Sequence, residues 1–302
     1  MTGRLRVRSA LITTTFLVCS TLTLAVRPMA AAEVEIVPDV VYGHKDGMAL
    51  TFDVFKPKTG ANGAAILYMV SGGWVSSWNP PQQAVTRFQP LLDKGFTVIT
   101  VRHGSSPKYF IPEIVADVRR AVRFVRYNAK QWGVDPERLG VMGSSAGGHL
   151  SLVIATDPDN ENPAASEDFM KSSNRVASGV AYFPPVDLRA WARGVAPAPN
   201  SGADRFPALN FEREKAADYS PIVHVTPDDP PTLLLHGDSD TLVPIGHSQT
   251  MHKALQETGV KSELITFPGA GHGFRGDDAV KAHAAMVKWF EQTLLGSPRS
   301  TR

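Results

Sequence analysis

Three residues have the types and the chain order needed for nucleophilic acyl transfer. Gly143-Ser144-Ser145-Ala146-Gly147 places Ser145 at the centre of a G-x-S-x-G pattern. A serine hydroxyl is a weak nucleophile at neutral pH. It needs a general base, and the base needs a partner that fixes its orientation. Both lie downstream, Asp240 within His236-Gly237-Asp238-Ser239-Asp240 and His272 within Gly269-Ala270-Gly271-His272-Gly273-Phe274. The expected roles are Ser145 as nucleophile, His272 as base and Asp240 as the acid that orients it. Asp238 is the competing acid. Ser144 is the competing hydroxyl, but it falls at the wrong place in the pattern.

Acyl transfer also develops negative charge on a carbonyl oxygen, which backbone N–H groups must meet. Ser71-Gly72-Gly73-Trp74 offers glycines that let a backbone approach a substrate closely. Gly72 and Gly73, joined by Ala146 beside the nucleophile, are the expected oxyanion donors. Trp74, Phe183, Trp191 and Phe274 are the expected walls of a substrate pocket. His149, in the first turn after Ser145, is expected to brace the nucleophile loop, and His236 to pack. His44, His224, His247, His252 and His283 read as surface positions. No pair of histidines has zinc-site spacing and acidic company, so neither metal nor cofactor is expected.

These residues must be held at the ends of ordered elements. Alternating β-rich runs at 34–42 and 50–55, with Lys45-Asp46-Gly47 between them, predict an opening strand pair. Short apolar runs at 64–70, 96–101, 138–142, 178–183, 232–235 and 263–267 suit strands buried on both faces. Helical spacing marks 111–130, 146–155, 248–257 and 278–295. Strands alternating with helices predict an α/β fold with a mostly parallel central sheet covered on both faces. Ser145 then sits on a strand-to-helix turn, and Asp240 and His272 sit just past strand carboxyl ends, where such sheets bind ligands. Residues 187–215 break the rhythm and read as an insertion over the sheet edge, a small lid or a passive loop.

The chain has 302 residues, 43% of them hydrophobic, an ordinary globular composition. Arg4, Arg6 and Arg8, then an apolar stretch from Ala10 to Val26, then Ala30-Ala31-Ala32, read as a secretory signal peptide over 1–32. The remainder, 33–302, is expected to be a single catalytic domain, secreted or periplasmic. Losing the leader and its four arginines takes the net charge from +2 to −2 and removes the one cysteine. A near-neutral chain has no electrostatic footprint for nucleic acid. No later segment is apolar enough to span a bilayer. The expected partner is a small-molecule or polymer-linked ester.

Together these stretches resemble the α/β-hydrolase superfamily, and within it hormone-sensitive-lipase-like and bacterial feruloyl or acetylxylan esterases. The resemblance runs from about Tyr42 to Leu295. Val70-Ser71-Gly72-Gly73-Trp74, Gly143 to Gly148 and the Asp240 and His272 loops carry it. It implies carboxylic ester hydrolysis through an acyl-enzyme. Two stretches depart from the pattern. The family's oxyanion stretch is often His-Gly-Gly-Gly-Trp, and Val70 and Ser71 replace its first two positions. Arg102-His103-Gly104-Ser105-Ser106-Pro107 stands in place of the usual Tyr-Arg-Leu and points to unusual substrate contacts. The alternatives are an arylformamidase-like or dipeptidyl-peptidase-like amide hydrolase, and a non-catalytic binding homologue.

Overall fold

The computed structural model describes residues 2, 31–159, 163–192 and 205–296. The 1–32 leader expected from the sequence lies almost wholly outside them. Ala31–Arg302 form one unit.

The sheet begins with a hairpin. Strand β1 (Val34–Lys45) turns into β2 (Met48–Pro57) through Asp46 and Gly47. Both have positive φ, 49° and 78°, as a two-residue turn matched to strand twist requires. Then come β3 (Ala65–Met69), β4 (Thr97–Val101), β5 (Leu139–Ser144), β6 (Ser178–Tyr182), β7 (Thr232–Gly237) and β8 (Ser262–Phe267). The spatial order is β1-β2-β4-β3-β5-β6-β7-β8. β2 is antiparallel to both neighbours, and β3 to β8 pair in parallel. Every residue of β4, β6 and β7 is buried, which is why those strands read as mostly apolar runs without charged residues.

Helices cover both faces: α1 (Val85–Leu92), α2 (Ile111–Tyr127), α3 (Ala146–Thr156), α4 (Gly246–Glu257) and α5 (Gly276–Phe290). Strand side chains alternate between the two faces. Leu67, Ile99 and Val141 join the core with Val118, Val122 and Val125 of α2 and Leu150 of α3. Ile66 and Val98 join the opposite core with Phe88 and Leu91 of α1 and Met286 and Phe290 of α5.

The structure departs from the sequence reading in particular places. Helix α1 was not expected; prolines at 80, 81 and 90 punctuate that stretch, and Pro90 lies inside the helix. Helix α2 stops at Tyr127, not 130, and the chain runs into a short 3-10 turn (Ala129–Trp132) closed by Gly133 at φ 66°. Helix α5 ends at Phe290, and 291–295 form a π turn. Residues 193–204 of the expected insertion lie outside the described residues. Its described flanks are anchored, with Leu188, Ala192, Ala208, Leu209 and Phe211 all buried in the α2–α3 core.

Arg102, in the stretch expected to contact substrate unusually, folds back into the protein instead. Its guanidinium meets Asp53 at 2.5 and 3.0 Å and Asp39 at 2.8 Å. Asp53 is 3% exposed and also accepts the Asp39 N–H at 2.9 Å. Without Asp53 the buried Arg102 guanidinium keeps only the half-exposed Asp39 as counter-charge. Asp53→Ala is therefore expected to lower unfolding free energy by roughly 3 kcal/mol or more, measured by urea denaturation at pH 7.

Candidate active site

Ser145 sits between β5 and α3 with φ 54° and ψ −121°, backbone angles rare for any residue with a side chain. Sterics explain the glycines on either side. A Cβ on Gly143 would lie 2.3 Å from the Gly147 carbonyl oxygen, and one on Gly147 would lie 2.6 Å from that of Met69. The end of β5, the start of α3 and the end of β3 thus pack backbone to backbone. The bend is pinned by the Ser145 N–H donating to the Tyr182 carbonyl at 2.9 Å.

The loops after β7 and β8 bring the other two expected residues to this bend. Ser145 Oγ lies 2.9 Å from His272 Nε2, and His272 Nδ1 lies 2.7 Å from Asp240 Oδ2. With Nδ1 facing a carboxylate, Nδ1 carries the hydrogen and Nε2 is the acceptor for the serine O–H. The Asp240 side chain is fully buried, and its Oδ1 accepts the N–H groups of Leu242 and Val243, both at 2.9 Å. Asp238, the competing acid, takes another part: its Oδ1 accepts the Gly269 N–H at 2.7 Å and ties the β7 and β8 loops together.

The expected oxyanion donors separate. Gly72 and Val75 exchange backbone hydrogen bonds at 3.0 Å, so the Gly72 N–H is already committed. Gly73 and Trp74, both with positive φ (57° and 61°), form the tip of that turn. Among the described residues the N–H groups of Gly73 and Ala146 have no hydrogen-bond partner.

Trp74 does not wall a pocket. It is 2% exposed, and its indole N–H donates to His149 Nδ1 at 3.3 Å. His149 Nε2 faces the Tyr219 carbonyl at 2.8 Å and must carry the imidazole hydrogen. This path links the Gly73 turn to the first turn of α3. Phe183 packs on His272, with ring centroids 4.6 Å apart, and Phe274 packs edge-on against Phe183 at 5.5 Å. Trp191 stands against His247 at 5.2 Å. His247, expected at the surface, is half-buried and its Nδ1 accepts the Val186 N–H. Sequence reasoning missed Phe206. Its ring stands edge-on to Trp74 and would lie 3.0 Å from a Cβ on Gly73. The sequence before it shows no apolar periodicity that would place it.

The sequence profile of the BD-FAE family matches residues 52–255, and that of the dienelactone hydrolase family matches 219–294. The chain belongs to the BD-FAE family, and with it to the esterase branch of the α/β-hydrolase superfamily. Among curated relatives, it is 27% identical to a probable carboxylic ester hydrolase, LipM, of Mycobacterium tuberculosis. That match covers 78% of this chain and 56% of the relative. The chain thus spans little more than half the length of that relative. A truncated carbohydrate esterase from gut microbiota superposes with TM-score 0.73 at 27% identity, over 89% of this chain and 99% of that one. The esterase Est2 of Thermogutta terrifontis superposes with TM-score 0.68 at 27% identity, over 90% and 96%.

Burial pushes the imidazoles of His149 and His103 down to about 4. Released by unfolding, they titrate near 6.5. Below that pH the unfolded chain binds protons that the folded one refuses, so stability falls between pH 6.5 and 4, by roughly 3 kcal/mol per histidine at the lower end. In His149→Phe the urea midpoint should fall less steeply across this range than in the wild type, whatever its value at pH 7. An equal slope would contradict the assignment.

Proposed function

We propose that this protein hydrolyses carboxylic esters through an acyl-enzyme, and that its substrates are short-chain or polysaccharide-linked acetyl or feruloyl esters. The observation that carries this is the continuous path from Ser145 Oγ through His272 to Asp240, at 2.9 and 2.7 Å, beside two unengaged N–H groups. Ser145 Oγ attacks the carbonyl carbon while His272 Nε2 takes its proton. Asp240 holds the imidazolium that forms, and the oxyanion turns toward the Gly73 and Ala146 N–H groups. The intermediate collapses, the alcohol leaves with the proton from His272, and the acyl group stays on Ser145. Water, deprotonated by His272, then releases the acid.

Two observations bear on the substrate. The likeness to the truncated gut carbohydrate esterase, over 99% of that chain, supports a sugar-linked alcohol. The Phe206 ring over the Gly73 turn narrows the space beside the oxyanion and favours a small acyl group. The basic start and apolar stretch of residues 1–32 support export to a compartment where polymeric esters are met.

Ser145→Ala is expected to lower kcat/KM for p-nitrophenyl acetate by about a thousandfold or more, with an unchanged circular dichroism spectrum. Retained turnover would contradict the proposal. Rates on acetylated and feruloylated xylo-oligosaccharides, compared at equal concentration, then separate the two acyl classes.

A further inference from the structure

His236, the fifth residue of β7, has more contacts than a packing residue needs. It is fully buried, as is Ser248 on α4. Its Nδ1 lies 2.7 Å from Ser248 Oγ, and its Nε2 lies 2.8 Å from the Val243 carbonyl and 3.4 Å from Asp240 Oδ2. A carbonyl and a carboxylate both face Nε2, and neither can donate. Nε2 therefore carries the hydrogen and donates it to the Val243 carbonyl, with Asp240 Oδ2 a longer electrostatic neighbour, while Nδ1 accepts the Ser248 O–H. The carboxylate oxygen involved, Oδ2, is the one that faces His272 Nδ1 at 2.7 Å. Val243 closes the loop: its N–H holds Asp240 Oδ1 and its carbonyl holds His236.

We propose that His236 is a positioning residue for the reaction: with Ser248 fixing its tautomer, its Nε2–H anchors the Val243 carbonyl and lies 3.4 Å from Asp240 Oδ2, so that the loop and the N–H together keep the carboxylate in the orientation that His272 requires. This rests on the reading of Ser145, His272 and Asp240 as the hydrolytic machinery. The titratable groups facing His236 are Asp240 on its own loop, His272 from the β8–α5 loop and His247 from α4, with Asp187 behind His247. Burial holds the His236 imidazole below its ordinary range, which keeps it neutral and its single N–H in place near pH 7. Without that N–H, Oδ2 loses one of its two imidazole neighbours. The carboxylate is freer to turn, and its charge is less shared when the His272 imidazolium forms.

The test uses His236→Leu, His236→Gln and Ser248→Ala in the full chain, with kcat and KM for p-nitrophenyl acetate followed against pH. Leu should lower kcat about tenfold to a hundredfold with KM within about threefold, and should move the acid limb of the kcat/KM profile to higher pH. Gln, which keeps an amide N–H, should recover most of kcat. Ser248→Ala, a small change that leaves the fold intact, should show a weaker form of the Leu pattern. The proposal is overturned if Ser248→Ala or a folded His236→Leu keeps the wild-type kcat and acid limb, or if Gln is as impaired as Leu. Failure of the underlying reading would look different: Ser145→Ala would remain active whatever His236 does.

Discussion

A backbone bend in which two glycines nearly touch governs this site. Gly143 and Gly147 bring β5 and α3 so close that a methyl group on either would strike backbone. Ser145 pays for that closeness with a positive φ, a strain of about 1–3 kcal/mol. The Ser145 N–H bond to Tyr182 and the His149 N–H bond to the Ser145 carbonyl offset it. In return the hydroxyl is held at the carboxyl edge of the sheet, next to the turn after β3. The same bend leaves the Ala146 N–H unpaired at the start of a helix, where developing negative charge is favoured.

Two hydrogen-bond paths fasten distant loops to this bend, and they differ in charge. One runs from Ser145 through His272 to a buried carboxylate that also accepts two backbone N–H groups. Those three contacts fix the orientation of the Asp240 carboxylate in the interior. The other runs from Trp74 through His149 to the Tyr219 carbonyl and stays neutral throughout, because burial keeps the imidazole uncharged. The first can carry charge during a reaction. The second serves geometry: it ties the Gly73 turn to α3 and to the Tyr219 carbonyl.

The types and chain order of Ser145, Asp240 and His272 were legible because an acyl-transfer site needs those side chains at strand ends, and the apolar runs mark the ends. The parallel core was legible because strands buried on both faces carry mostly apolar residues in short runs. Other features depended on contacts that no local pattern encodes. Asp238 and Asp240 are equivalent in sequence, and only the path of the loop toward Gly269 or His272 distinguishes them. Gly72 and Gly73 are likewise equivalent until the turn commits the first to Val75. Trp74 carried a pocket-like composition, yet its partner, His149, lies 75 residues away. Helix α1 was hidden by prolines that usually end helices, and Phe206 by a sequence context with no apolar periodicity.

The central claim is that Ser145 is the one hydroxyl activated by this geometry, and covalent trapping tests it most directly. The folded protein is treated with a fluorophosphonate, digested and mapped by mass spectrometry. A single adduct on Ser145, lost when the protein is first unfolded in urea, is the predicted result. No adduct on the folded protein, or an adduct on Ser144 or another residue with Ser145 unmodified, would contradict the account.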